Sequence, residues 1–305
     1  MLDQDLFFTT LSAYLLGALM LTIYFLQPTK WTLRCGVAAA IIGCLAQYAD
    51  LTVRYLTTHI WPLTNLYGSL SLFSVMSVTL FLVFAFRYRL WFLGGFVQWL
   101  AAGFLAYAST WNEGSMPAVP ALQSYWIKIH VPLVVSAYAA FLIAATLSAI
   151  YLLKAGFERS LQRTAQNDVS EALLAQRLSG GTPNIERAAE TGHQIALWLN
   201  TLPSLPSLDI MTYRVITVGL PLLTVGIITG AWWAKEAWGA YWQWDPKETA
   251  ALLSWIIYAA YAHLHTRHAW RGIRSAWLSL LGFASIIFCY LGVNIWISGL
   301  HSYKF

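Results

Sequence analysis

Long apolar runs separated by short polar segments dominate the chain. Eight runs of roughly 20 residues are apolar enough to cross a bilayer, at 6–27, 33–53, 66–87, 90–109, 128–153, 211–233, 249–267 and 273–297. The pattern therefore predicts an all-α, polytopic membrane protein with about eight transmembrane helices and a Trp-rich outer loop. We expect the first run to be a retained span, because it is longer than the apolar core of a signal peptide and no small-residue cleavage site follows.

The polar segments divide this single membrane domain into four parts. Residues 1–110 hold the first four spans, 111–153 an outer loop and the fifth span, 154–210 an inner connector, and 211–305 the last three spans. The connector is predicted to contain helices over 158–178 and 185–200, separated by a break at 179–183 that contains Gly and Pro. Asp209 is predicted to cap the sixth span.

The composition agrees with the apolar pattern, and the distribution of charge predicts how the protein is oriented in the membrane. The chain is 58% hydrophobic and 10% charged, with a mean hydropathy of +0.58. If the N terminus is outside, 13 of the 18 lysines and arginines face inward, as the positive-inside rule requires. The basic pI of about 9.1 then reports orientation and does not indicate nucleic-acid binding. None of the three cysteines forms a Cys-x-x-Cys motif, which excludes a dithiol reductant and a c-type cytochrome.

The end of the sixth run and the segment that follows it concentrate tryptophan. Five of the thirteen residues 232–244 are Trp: Trp232, Trp233, Trp238, Trp242 and Trp244. The segment continues into Asp-Pro-Lys-Glu at 245–248. Indole suits the boundary of a membrane, and such a cluster is more often an interfacial belt than a ligand site. Its density also favours a second interpretation, in which the rings form a flat floor for a large planar ligand.

Histidines at two depths suggest what that ligand is. His130 opens the fifth span and His301 follows the eighth, so both lie on the side of the Trp-rich loop. Two imidazoles facing each other would fill both axial positions of a haem iron, and Lys235 and Lys247 could meet its propionates. His265 lies about 25 Å away, near the inner end of the seventh run. Each histidine alone remains open to the simpler interpretation of a polar anchor.

Residues 233–249 resemble a known signature. The run Trp-Ala-Lys-Glu-Ala-Trp-Gly-Ala-Tyr-Trp-Gln-Trp-Asp-Pro-Lys-Glu-Thr is similar to the WWD motif of haem-handling membrane proteins. Its Pro-Lys-Glu ending resembles the CcsA (ResC-type) family of cytochrome c biogenesis system II. Similar stretches occur at 119–126, 213–216, 264–267 and 299–303. Gly68 and Ala250 differ from the residues usual in the family, whereas the candidate ligands are the family's own.

The resemblance implies a haem-handling subunit of a holocytochrome c synthase. It implies that His130 and His301 are the outer axial ligands of a non-covalent haem b, and that His265 is an inner ligand. The remaining residues expected at the cofactor are Trp233, Trp238, Trp242, Trp244, Lys235, Lys247 and Asp245. No catalytic residue is certain. Asp245 and Glu248 are candidates, although acids at a helix start are also ordinary caps.

The resemblance also implies partners. A CcsB-type membrane subunit would supply the histidine opposite His265, and an apocytochrome c would bring its Cys-x-x-Cys-His segment. A thioredoxin-like thiol-reducing protein would act indirectly. The protein would lie in a bacterial cytoplasmic membrane or a thylakoid membrane, with the Trp-rich loop facing the periplasm or lumen. Two alternatives remain: a haem transporter or exporter without a synthase role, and the membrane subunit of a b-type cytochrome.

Overall fold

The protein is an antiparallel bundle of long helices. The computed structural model describes residues 2–63, 65–111, 120–179 and 197–297, and none of these residues forms a strand. The long helices are α1 (Leu2–Leu26), α2 (Lys30–Thr58), α3 (Leu66–Tyr88), α4 (Gly94–Ser109), α5 (Ile127–Ser179), α6 (Leu205–Trp238), α7 (Pro246–His265) and α8 (Ile273–Ile287). A π-helical segment, Phe288–Gly292, and one further turn, Val293–Trp296, extend α8.

The prediction of an all-α, polytopic membrane protein is confirmed. Among the described residues, seven helices are long and apolar enough to cross a membrane, and the predicted count of eight is therefore approximate. The helix outside this set is α7, predicted as the span 249–267. Its charged first turn and its polar and aromatic residues lower its hydropathy. It still has 20 residues, which corresponds to about 30 Å of helix, the thickness of the hydrocarbon core of a bilayer.

Successive helices alternate in direction, so the bundle has two distinct ends. We call the end where α6 stops and α7 starts the Trp-rich end. The start of α5 lies there too, since the ring of His130 stacks on that of Trp233, which is in the last two turns of α6. At the opposite end, the indole N–H of Trp198 donates to the carbonyl of Phe25. His265, the last residue of α7, also lies at the opposite end.

The α5 helix is the centre of the bundle and is longer than predicted. Residues 137–145 of α5 are all buried, and α5 packs along α6, α3 and α8. A span over 128–153 and a separate helix over 158–178 were predicted, whereas the structure has one uninterrupted helix to Ser179. The reason is that this stretch contains no proline and a single glycine, Gly156. The second predicted connector helix and its break fall largely on 180–196, outside the described residues.

Buried polar contacts join the first three helices. The Tyr14 hydroxyl donates to Gln47 Oε1 over 2.7 Å, and the Gln47 amide donates to the Ser71 carbonyl over 2.9 Å. Packing between helices in a bilayer gains little from the hydrophobic effect, so such hydrogen bonds help to fix which helices pair. The main core continues from Tyr14 through α5 to Tyr290, so the first three helices share it with the Trp-rich end.

Candidate functional site

The loop between α6 and α7 has a defined backbone. Gly239, at φ +83°, ends α6, and its N–H donates to the Lys235 carbonyl over 3.0 Å. The α7 helix then begins with a capping box, in which Asp245 accepts from the Lys247 N–H and Glu248 reaches back to the Asp245 N–H. Glu248 also accepts from the Gln243 N–H over 2.8 Å. Both carboxylates proposed as catalytic candidates therefore hold the loop against the first turn of α7.

The described tryptophan rings do not form one flat floor. Trp233 and Trp238 are 4.8 Å apart and inclined by 61°, whereas Trp242 and Trp244 are 5.7 Å apart and perpendicular. Trp233 is only 3% exposed, and it packs in a small core with Trp238, Leu122 and Ile127. Trp244 is 69% exposed. The first pair thus supports the ends of α5 and α6, and the second pair lies in the loop with one ring open to the surroundings.

Trp244 also has an unusual backbone. Its φ is +56°, in the left-handed region that a bulky residue rarely adopts. The residue directly precedes the N-cap Asp245, and the Trp244 carbonyl accepts from the Thr249 hydroxyl over 3.4 Å. Such a conformation costs of order 1–3 kcal/mol and persists only where the surroundings impose it. The capping box on its C-terminal side is that constraint.

His130 is held by the second half of α6. Its Nδ1 lies 2.7 Å from the carbonyl oxygen of Gly226, and its ring lies nearly parallel to Trp233, at 6.0 Å and 19°. A carbonyl can only accept, so Nδ1 carries a proton, and the neutral form of the ring has its lone pair on Nε2. Nε2 makes no hydrogen bond to any described residue. This is the usual state of a metal-binding imidazole, with one nitrogen fixed by a carbonyl and the other available.

Gly230 gives the imidazole its space. A Cβ at this position would lie 2.7 Å from Cε1 and 2.8 Å from Nδ1 of His130, closer than side chains tolerate. Gly226 and Gly230 are one helical turn apart on α6. One of them supplies the hydrogen-bond acceptor, and the other leaves room for the ring. We call these two residues the glycine seat of His130.

The other residues expected at the cofactor have varied surroundings. The Lys235 ammonium donates to the Gly239 carbonyl over 2.8 Å and lies 5.7 Å above the Tyr241 ring. The Lys247 carbonyl accepts from Cys289 in the π-helical segment over 3.7 Å. His301 lies outside the described residues, so its pairing with His130 stays a prediction. Among the described residues, no group of three or more His, Cys, Asp or Glu could hold a metal ion.

His265 is the centre of a second polar cluster at the opposite end of the bundle. It is 5% exposed, and its ring stacks between Tyr213, at 4.5 Å, and Tyr261, at 5.6 Å. Its Nε2 lies 2.9 Å from Asp209 Oδ2. The other oxygen of Asp209 accepts from the Ser275 hydroxyl over 2.8 Å and from the Gly272 N–H over 3.1 Å. One carboxylate thus joins α6, α7 and the start of α8.

Sequence reasoning did not find the role of Asp209. It was predicted to cap the sixth span, but the N-cap is Ser204, and Asp209 lies inside α6. An acid within an otherwise apolar helix was the available signal, because such residues need a partner at that depth. The partner, His265, lies 56 residues away in the chain.

Comparison with known proteins identifies the family. The sequence model described as "Cytochrome C assembly protein" matches residues 63–301. The chain belongs to this family. The chain therefore has a role in cytochrome c assembly. The match includes His130, His265 and the whole Trp-rich loop, and its last residue is His301.

Relatives within the family extend over nearly the whole chain. The cytochrome c biogenesis protein CcsA of Heterosigma akashiwo is 37% identical over 284 residues, covering 89% of this chain and 86% of its own. CcsA of Synechococcus elongatus is 37% identical, covering 88% of this chain and 86% of its own, and CcsA of Synechocystis is 34% identical, covering 90% of each. These relatives confirm the resemblance to the CcsA type.

A solved structure shares the fold. This is "Cytochrome c Heme Lyase CcmF", with a TM-score of 0.59 and 17% sequence identity. The similarity covers 95% of this chain but only 46% of the solved chain, so this chain spans about half of the length of the solved one. At this identity the similarity concerns the fold alone.

Proposed function

We propose that this chain is the haem-handling subunit of a system II cytochrome c synthase. It binds haem as a substrate at the Trp-rich end, with His130 as one axial ligand, and presents it to the Cys-x-x-Cys-His segment of an apocytochrome c. The single observation that carries the proposal is the geometry of His130. Its Nδ1 donates to Gly226 and its Nε2 is left as a lone-pair donor.

The donor set at the Trp-rich end fits haem iron. The iron takes neutral imidazole nitrogens, and Nε2 of His130 is such a donor. His301 is proposed as the second axial ligand, and its assignment rests on the family resemblance. Trp242 and Trp244 are proposed to contact the porphyrin. Lys235, Lys247 and Asp245 are proposed to lie near its edge.

The chemistry then requires positioning more than acid–base catalysis. Each cysteine S–H adds across one vinyl C=C of the haem, so a thioether forms with no atom lost and no oxidant needed. Holding the thiols and the vinyl groups in register converts a slow encounter into an effectively intramolecular reaction. The engagement of Asp245 and Glu248 in the capping box supports a structural role for both, without a proton-transfer role.

The proposal includes the orientation and partners of the complex. The Trp-rich end faces the periplasm or lumen, because the opposite end carries the exposed arginines Arg267, Arg271 and Arg274. The partners are a CcsB-type subunit and the apocytochrome c, with a thioredoxin-like reductant that keeps the cysteines as thiols. A b-type cytochrome is less well supported, since His130 and His265 lie at opposite ends of the bundle.

The test is covalent product formation by the whole complex. The chain is co-expressed with its partner subunit and an apocytochrome c, and covalent haem is measured on a denaturing gel. We expect His130→Ala to lower the yield at least tenfold and added imidazole to restore part of it. The matched control is His268→Ala, an exposed histidine at the opposite end, which should leave the yield unchanged. Wild-type yield in His130→Ala would refute the proposed role of His130.

A further inference from the structure

A groove runs along the outward face of α8, at the end of the bundle opposite the Trp-rich end. It has a volume of about 520 Å³ and is lined by Trp270, Ile273, Arg274, Trp277, Leu278 and Leu281. The other face of α8 packs into the bundle, and its buried residues are Ser275, Ala276, Ser279, Gly282 and Ile286. Trp277 and Leu281, by contrast, are 61% and 57% exposed. The groove therefore lies on the side of α8 that no described helix covers.

The groove is cationic at one end and apolar along the rest. Arg274 lies in the first turn of α8, and its Nη1 donates to the carbonyl of Ala269 over 3.1 Å. This bond holds the guanidinium at the start of the helix. Leu281 lies seven residues farther along α8, which is about 10 Å deeper in the membrane. The groove thus passes from a charge at the membrane boundary to apolar side chains at the depth of lipid chains.

The arginines at this end have no carboxylate partner among the described residues. The turn between α7 and α8 adds the exposed Arg267 and Arg271 to Arg274, and none of the three forms an ion pair in the described part of the chain. Residues 249–305 contain no Asp or Glu. The nearby Asp209 is buried and bonded to His265. This surface is therefore complementary to an anion from outside the chain.

We propose that the groove binds one anionic phospholipid of the adjoining leaflet. The phosphate lies at the guanidinium of Arg274, and an acyl chain lies against Trp277 and Leu281. The planar N–H donors of arginine match phosphate oxygens, and indole rings suit the boundary between headgroups and chains. A basic pocket beside apolar helix surface is the usual form of such a lipid site. Under the proposed orientation the leaflet is the inner one, but the site itself does not depend on the proposed function.

The first test measures lipid selectivity. The full chain is purified in detergent and titrated with phosphatidylglycerol or phosphatidylcholine, and bound lipid is counted by native mass spectrometry. We expect one tightly held phosphatidylglycerol, whose affinity Arg274→Gln lowers about fivefold. The matched control is Arg214→Gln, which removes an exposed arginine of α6 that does not line the groove and should leave the affinity unchanged. Unchanged affinity in Arg274→Gln, or an equal loss in both variants, would overturn the proposal.

The second test identifies what lies in the groove within the membrane. The photoreactive residue p-benzoylphenylalanine replaces Trp277 in the full chain, which is co-expressed with the partner subunit and irradiated in intact cells. We expect a mass increase of one phospholipid, in a yield that falls when Arg274→Gln is added. The same photoreactive residue at Leu16, on the exposed face of α1, is the control, and its lipid adducts should not depend on Arg274. A crosslink to the partner subunit in place of lipid would show that a protein helix occupies the groove, and it would overturn the proposal.

Discussion

The glycine seat makes His130 a defined donor rather than a polar residue at a membrane surface. Gly226 fixes which nitrogen carries the proton, and Gly230 allows the ring to lie against α6. An imidazole that only anchored the helix to the interface would need neither feature. The two glycines are therefore as specific to the proposed role as the histidine itself.

Replacing Gly230 with alanine should displace the imidazole. The added Cβ would lie 2.7 Å from the ring, so the ring must rotate and weaken its bond to Gly226. We expect Gly230→Ala to lower the haem content of the purified complex about tenfold, measured as the ratio of haem to protein. The matched control is Gly219→Ala on the same helix, where the Cβ would lie 2.9 Å from the Phe141 ring and far from His130.

Both glycine variants should be destabilised to a similar extent, because overpacking costs about 1–3 kcal/mol. Thermal unfolding of each variant checks this. Equal loss of haem in Gly219→Ala and Gly230→Ala would show that general packing, and not the seat of His130, controls haem content.

Two substitutions at Trp244 distinguish the role of its side chain from the effect of its backbone conformation. Trp244→Ala and Trp244→Gly both remove the indole, but only glycine relieves the positive φ. We expect both variants to retain haem while their yield of covalent cytochrome falls several-fold. The glycine variant should be the more stable by about 1 kcal/mol in thermal unfolding. A normal yield in both variants would remove Trp244 from the proposed site.

At the residue scale, the sequence correctly predicted the depth of the histidines in the membrane but did not predict which residues they contact. Counting residues along apolar runs correctly put His130 and His265 at opposite ends. Gly226, Gly230 and Asp209 were not found as their partners, because those contacts depend on how α6 is rotated and shifted against α5 and α7. Helix periodicity within one segment contains no information on that register.

At the scale of the element, the start of α7 fixes the form of the Trp-rich loop. The capping box joins the N-cap Asp245 to Glu248, and Glu248 also bonds the Gln243 N–H inside the loop. The loop and the helix start are consequently one unit. Its acids were expected as catalytic candidates or as caps, and the observed bonds favour caps.

Substitutions at Glu248 distinguish these two roles. Glutamine accepts the same backbone hydrogen bonds but cannot transfer a proton as a carboxylate does. We expect Glu248→Gln to keep most of the yield of covalent cytochrome, and Glu248→Ala to lose about 1 kcal/mol of stability along with part of the yield. Unfolding temperature and haem-stained product are measured in parallel. A large loss of yield in a stable Glu248→Gln variant would indicate catalysis by the carboxylate.

Helices were predicted correctly where the apolar pattern is strong. Their bounds were predicted wrongly where packing between helices determines them. The predicted spans 66–87 and 90–109 match α3 and α4 closely, whereas α2 extends five residues beyond the predicted end at residue 53. The single helix α5 was divided in the prediction because the polarity of the chain changes near Lys154. In the structure the Lys154 ammonium donates to the carbonyls of Leu199 and Pro203, which buries its charge. The π-helical segment after α8 has no signal in the sequence pattern.

At the scale of the whole molecule, α6 connects the two histidines. Gly226, in the second half of α6, bonds His130, and Asp209, near the start of α6, bonds His265. The two residues are 17 positions or about 25 Å apart. A shift of α6 along its axis would alter both contacts. The same helix leads directly into the Trp-rich loop.

The orientation of the bundle follows from its charges and is open to direct measurement. In a variant lacking Cys35, Cys44 and Cys289, single cysteines are placed at Tyr241, in the exposed loop, and at His268, at the opposite end. We expect a membrane-impermeant maleimide to label Tyr241→Cys on intact cells. His268→Cys should react only after permeabilisation, because basic residues stay on the inner side. The reverse pattern would invert the topology.

The central claim is that Nε2 of His130 binds haem iron at the Trp-rich end. It is tested most directly by the visible spectrum of the reduced complex, purified with its partner subunit. We expect sharp α and β bands of a six-coordinate haem in the wild type. We expect these bands to weaken in His130→Ala and to return when free imidazole fills the vacated position. Undiminished bands in His130→Ala without imidazole would contradict it.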